Sequence, residues 1–250
     1  MAEYREVSRP NCEGGTAVFN YAVCQPHWLD IAWNDTAKKF SDLMAGYPGS
    51  WQRASNSNYL NTTTGEPLGY VMKNHRILHT AATTTEKRYD GWLISDQLYN
   101  ASMDPGTGDF YTSVALDRCW LGLNVGPLLV IGGAKTNLAT QINEPPYTGL
   151  YPTSATRNGE PILRVGFGWC PNFNLIVHVF CRAGGCSLYD LQNFFMEFPG
   201  ISAALAFNGG SSAGMIDKEI GSTVIGYNTR LMKTAFVIVE KDPIPAGFPA

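Results

Sequence analysis

The chain has 250 residues, 44% of them hydrophobic and only 16% charged, which is the balance of a globular protein with a sizeable core rather than a disordered one. Lysine and arginine number 18 against 21 acidic residues, a net charge of −3, and no long basic run exists to track a nucleic-acid backbone. No apolar stretch approaches the roughly 20 residues of a membrane span, and the opening MAEYREVSRPNCEGG lacks the charged-then-apolar pattern of an export signal. The expectation is a soluble protein, cytoplasmic or virion-associated if the chain is complete.

In chain order, residues 17–24 (AVFNYAVC) read as a strand. Residues 36–45 read as a helix capped by Asp35 or Thr36, with Phe40, Leu43 and Met44 on one face and Gly46 as its stop. Residues 69–79 read as two strands about a turn at Lys73–Asn74, and 91–95, 110–116 and 127–132 as further strands. Residues 134–161, with four prolines and no periodicity, read as a long loop. Residues 162–168 and 174–181 form a hairpin pattern turning at Pro171–Asn172. The clearest helix is 187–198. Ser187 and Asp190 make a capping box, and Leu188, Leu191, Phe194, Phe195 and Phe198 form an apolar stripe that Pro199–Gly200 ends. Residues 201–207 and 234–240 are the last strands. Strands dominate, so the fold class is α+β, a single domain of mixed, mainly antiparallel sheet with a few packed helices. Its body spans 16–240, with an extension at 1–15 and a tail at 241–250.

Six cysteines, at 12, 24, 119, 170, 181 and 186, show no metal-binding spacing and are too sparse for a disulfide scaffold. They read as buried free thiols, with Cys181/Cys186 and Cys12/Cys24 the local pairs open to a disulfide. Asn34, Asn61 and Asn100 begin glycosylation sequons that read as chance. His75 and His79 lie on one strand face, about 13 Å apart and too far for a shared metal, and His178 reads as a core histidine. No cofactor, metal or calcium cluster is expected.

The stretch from Ala206 to Ile216, AFNGGSSAGMI, carries the most chemistry. A buried strand delivers Asn208 to a bend of Gly209, Gly210, Ser211 and Ser212, where glycines let consecutive amides point into one concavity and hydroxyls add donors. Arg164 opens the apolar segment LRVGFGW, so its charge needs either a structural partner or an anionic ligand such as phosphate. In ASNSNYLN, Asn56 and Asn58 share a strand face and suit sugar hydroxyls, a phosphate or their own turn.

Together these segments resemble the phosphodiester glycosidase family. ALAFNGGSSAGMI is similar to its Leu-Asp-Gly-Gly signature, and ASNSNYLN to its Ile-Asn-Gly-Gly-Phe-Phe. EPLGYVMKNHRIL, VGPLLVIGG, Arg164 with Gly168, and RAGGCSLYDLQNFF match further family segments in the family's order. The resemblance implies a hydrolase that cleaves the C–O–P link of a sugar-1-phosphodiester, in a glycan or a sugar nucleotide. Asn208, Arg164 and Asn56 would be the catalytic set, and Gly209, Gly210, Ser211, Ser212 and Asn58 would bind substrate. The chain departs from the pattern where Asn208 replaces the family Asp, Val165 its Thr, and Asn58 a small residue. Another carboxylate then has to serve, with Asp217, Glu219, Glu66 and Asp90 as candidates, or the protein binds glycans or nucleotides at a cell or virion surface without turnover.

Overall fold

The computed structural model describes residues 4–80, 90–95, 101–104, 119–142 and 153–250. Strands are numbered β1 to β19 in chain order, and every pairing among the described residues is antiparallel. The largest sheet runs β1 (Arg5–Pro10), β2 (Thr16–Cys24), β15 (Leu175–Ala183), β14 (Arg164–Cys170), β16 (Ala203–Ala206), β10 (Leu128–Ile131) and β11 (Ala134–Lys135). A second sheet runs β18 (Gly221–Gly226), β17 (Gly214–Asp217), β4 (Arg53–Asn56), β19 (Leu231–Ile238) and β3 (Leu29–Lys39). The third runs β6 (Arg76–His79), β5 (Val71–Lys73), β9 (Cys119–Val125), β7 (Asp90–Ser95) and β8 (Ala101–Asp104). A small hairpin, β12 (Thr156–Arg157) and β13 (Glu160–Pro161), stands apart from them.

Alternation along β14 explains the layering. Val165, Phe167 and Trp169 enter a core shared with the second sheet, where Phe167, Phe207 and Phe236 pack ring on ring at 4.9–5.6 Å. The third sheet adds Val71, Leu121, Leu123 and Val125 to the same core. On the opposite face, Gly166 and Gly168 leave room for Leu191 and Phe195 of the helix Leu188–Phe195. That helix has its Ser187–Asp190 capping box in place, and its apolar stripe buries against β2, β14 and β15. A short helix, Phe40–Ala45, covers the outer face of the second sheet with Phe40, Leu43 and Met44.

The expected helix over 36–45 is therefore only half a helix. Residues 36–39 continue β3, because β19 pairs with them through Leu231–Lys39 and Met232–Lys38 and satisfies their backbone. The tight turn expected at Lys73–Asn74 falls on Asn74 and His75, both at positive φ. The run 134–161 is not one loop, since it holds β11, a helical turn at Leu138–Gln141 and the β12–β13 hairpin; residues 143–152 and the strand expected at 110–116 lie outside the described residues. The described residues near both termini join the fold. β1 pairs with β2, Asp242 bridges to Val23, and the Tyr21 hydroxyl donates to the Pro249 carbonyl. Cys12, Cys24, Cys170, Cys181 and Cys186 are all free thiols, and of these Cys12 is exposed. Among the described residues no helix is long and apolar enough to cross a membrane.

Candidate active site

The first two sheets are joined by the bend between β16 and β17, and the site forms there. β14 and β16 are antiparallel neighbours, so the start of β14 lies beside the end of β16. The Phe207 amide donates to the Val165 carbonyl and the Gly210 amide to the Leu163 carbonyl. These bonds pull the bend over Arg164. A Cβ added at Gly209 would lie 3.3 Å from the Arg164 guanidinium and 2.9 Å from the Leu163 carbonyl, so the approach requires glycine. From the second sheet, the Ser57 carbonyl accepts from the Asn208 amide, which brings the end of β4 beneath the same bend.

The result is a cavity of about 440 Å³ lined by Arg164, Asn208 and all four residues of the Gly-Gly-Ser-Ser bend. Arg157 and Arg230 add two more guanidinium groups, against Glu160 as the one carboxylate among the described lining residues. Tyr59, Leu60, Leu68, Ile162 and Tyr227 supply an apolar and aromatic wall of the kind a sugar ring packs against. Arg164 is almost wholly buried and donates from Nε to the Cys186 carbonyl at 3.2 Å. Burial pushes its pKa down, partly offset by the surrounding Cys186, Tyr59, Cys181 and Asp190. Arg230 reaches the Ser211 hydroxyl at 3.5 Å.

The cradle is narrower than its sequence suggests. The Gly210 and Ser212 amides are consumed by the Leu163 and Gly209 carbonyls. Among the described residues, the amides of Gly209 and Ser211 have no acceptor, nor does the Asn208 side chain have a partner, so these are the groups left for a ligand. Asn56 and Asn58 do not line the cavity. Asn56 is buried, donates from Nδ2 to the Asn208 carbonyl, and accepts the Gly214 amide at 3.1 Å. Asn58 donates to the Asn124 carbonyl at 2.8 Å. Both amides are committed to backbone that would otherwise be buried without partners.

The alternative carboxylates are also placed elsewhere. Asp217 is fully buried between Arg53 (2.8 Å) and Lys241 (3.0 Å). Burial alone would raise its pKa, but those two cations hold it below the usual carboxylate value. Glu219 pairs with Lys241 and Glu66 with Lys233. Asp90 opens β7, and its side chain lies outside the described residues. His178 is fully buried on the inter-sheet face. Its Nδ1 accepts from Arg53 Nε at 2.8 Å, which places the ring proton on Nε2, toward Ser55 Oγ at 2.9 Å. Ser55 Oγ in turn donates to the Asn56 carbonyl. A continuous polar chain thus runs from Arg53 through His178, Ser55 and Asn56 to Asn208. Arg157, Glu160, Tyr227 and Arg230 were not expected from the sequence; the signal available for the first two was the Asn158-Gly159 pair, both at positive φ, which turns the β12–β13 hairpin, and Tyr227 and Arg230 lie in a stretch without a motif. Among the described residues no three His, Cys, Asp or Glu side chains converge as a metal site.

The family's sequence pattern, described as phosphodiester glycosidase, matches residues 52–239. The chain belongs to this family. No curated protein sequence matches the chain. Among solved structures, it is similar to the catalytic domain of zebrafish N-acetylglucosamine-1-phosphodiester alpha-N-acetylglucosaminidase auto-inhibited by its pro-peptide, with a TM-score of 0.69 at 11% identity over 95% of this chain and 82% of that one. A hypothetical protein from Synechocystis aligns with a TM-score of 0.59 at 12% identity, over 94% of this chain and 62% of that one. At these identities the structural likeness concerns the fold.

Proposed function

We propose that this protein hydrolyses the bond between a sugar's anomeric carbon and a phosphodiester oxygen, in a glycan or a sugar nucleotide. The observation that carries the reading is the meeting of Arg164, Asn208, Gly209 and Ser211 on one cavity with an aromatic wall, the last two with amides that have no acceptor among the described residues. Phosphate is a good leaving group once its charge is met, so positioning and neutralisation supply most of the catalysis. Arg164 and the bend hold the phosphate, Arg230 adds charge at the Ser211 end, and Tyr59 and Tyr227 flank the sugar. Asn208 orients the sugar or the attacking water as oxocarbenium character develops. Asn56 acts one step back, by fixing the Asn208 carbonyl.

The test is release of free sugar from a sugar 1-phosphodiester by the purified protein, with Arg164→Ala as control. Turnover that Arg164→Ala abolishes supports the reading; Arg164→Ala turning over like wild type overturns the clamp. A second reading, glycan or nucleotide binding without turnover, is favoured by one observation, the amide of Asn208 where the family carries Asp. It predicts phosphate-dependent binding with no sugar released, and turnover appearing in Asn208→Asp.

A further inference from the structure

The cavity supplies its own carboxylate from an element that the sequence reads as loop. Glu160 is in β13, the second strand of the small hairpin, in register with Arg157. Glu160, Pro161, Ile162 and Arg164 all line the cavity. Two residues without strand pairing link β13 to β14, and a chain of this length separates positions four apart by at most about 13 Å between Cα atoms. A cavity of about 440 Å³ between two long side chains has room for a sugar ring with its phosphate.

The hairpin is exposed but not loosely attached. Glu13 accepts from the Ala155 amide at 3.1 Å and from the Thr156 hydroxyl at 2.9 Å. The Cys186 amide donates to the Ile162 carbonyl at 3.0 Å, while the Cys186 carbonyl receives Arg164 Nε. Gly185, at φ +69°, lets the hairpin lie against it: a Cβ there would stand 2.0 Å from the Ala155 carbonyl. One short segment, residues 185–186, therefore sets the position of both the hairpin and the guanidinium.

We infer that Glu160 is the general base of the proposed hydrolysis, taking the part that the amide of Asn208 cannot. The carboxylate accepts a proton from water while the water oxygen bonds to the anomeric carbon. The bond from that carbon to the phosphate oxygen breaks, and its electron pair stays on the phosphate. Arg164 and the amides of Gly209 and Ser211 meet the charge that appears there. The products are the free sugar, a phosphomonoester and one proton, which Glu160 passes to solvent. Attack from the side opposite the phosphate inverts the anomeric centre. The base assignment rests on the proposed hydrolysis, and the experiment separates the two.

The probes are methyl diesters of hexose and N-acetylhexosamine 1-phosphates and a UDP-hexose, with free sugar measured, and inorganic phosphate for binding by calorimetry. In Glu160→Gln, kcat is expected to fall about 10²- to 10⁴-fold, the range of a lost general base, with KM and phosphate affinity held within about threefold. Glu160→Ala with added azide should regain product as a glycosyl azide of inverted configuration. Glu160→Gln with kcat within about threefold of wild type would overturn the base while leaving the hydrolysis standing. An azide product of retained configuration would also overturn it. Wild type that binds phosphate but releases sugar from none of the probes would overturn both.

Discussion

The Asn56 side chain holds the Asn208 carbonyl from below while accepting the Gly214 amide, so one buried amide spans the bend at both ends. Replacing it breaks two bonds inside a buried environment. Asn56→Ala should destabilise the fold by about 1–3 kcal/mol through unsatisfied backbone groups. Asn56→Asp should be at least as harmful, since it turns a donor into a charged acceptor facing a carbonyl. Urea unfolding of the two variants beside wild type checks the order, and an Asn56→Asp as stable as wild type would mean that the bend is held by other contacts.

Two adjacent glycines should separate binding from stability. Gly209 has φ −110°, open to any residue, but its added Cβ would press on Arg164 and Leu163. Gly210 has φ +59° and open space around an added Cβ. Gly210→Ala should therefore cost about 1 kcal/mol of stability with little change in phosphate affinity. Gly209→Ala should lower phosphate affinity clearly more. Calorimetric titration with phosphate and thermal melts of both variants would show the contrast or its absence.

Arginine at 164 should not be replaceable by lysine. The guanidinium donates from Nε to the Cys186 carbonyl and lines the cavity as a planar, multidentate fork. Arg164→Lys keeps a charge but has no fixed fork, and should lose about tenfold or more in phosphate affinity while Arg230→Lys, at the half-buried rim, loses less. Equal losses at the two positions would argue that the phosphate sits nearer the rim than the floor.

Acid should weaken the fold in two stages. Burial, and then the Arg53 charge, hold the His178 pKa well below the ordinary imidazole value of 6.5. The unfolded chain takes up a proton near 6.5 that the fold refuses, so this contribution is complete above 6.5 and declines as pH falls, by up to about 1.4 kcal/mol per unit. Asp217, held below the ordinary carboxylate value of 3.8, adds a second loss as pH falls below that value toward its folded one. His178→Gln, whose side-chain oxygen can still accept from Arg53, should flatten the first stage only. Chemical denaturation at intervals from pH 7 down to about pH 2.5 reads both stages.

The strands, the capped helix and the glycine bend were legible because each depends on local pattern: alternation, a capping box, a run of small residues after an apolar segment. The roles of Asn56 and Asn58 were not, because an amide beside a bend looks the same whether it meets a ligand or a neighbouring carbonyl. Only the register of β4 against β17 and β19 decides it. Arg230 and Glu160 were not placed at the site for the opposite reason. Asn158-Gly159 marks a turn beside Glu160 but not where that turn lies, and Arg230 has no local signal; only the folding of the hairpin and of the segment before β19 brings them to the cavity wall. Asp217 illustrates the pull of a nearby motif: adjacent to the bend in sequence, it points into the core and neutralises Arg53.

The bend between β16 and β17 is where the chain leaves one sheet for the other, while Ser57 and Leu163 grip it from either side. A ligand seated there touches backbone belonging to both sheets at their seam. Occupancy would thus behave like a rivet, and resistance to heat should climb with ligand concentration in the logarithmic way that mass action dictates.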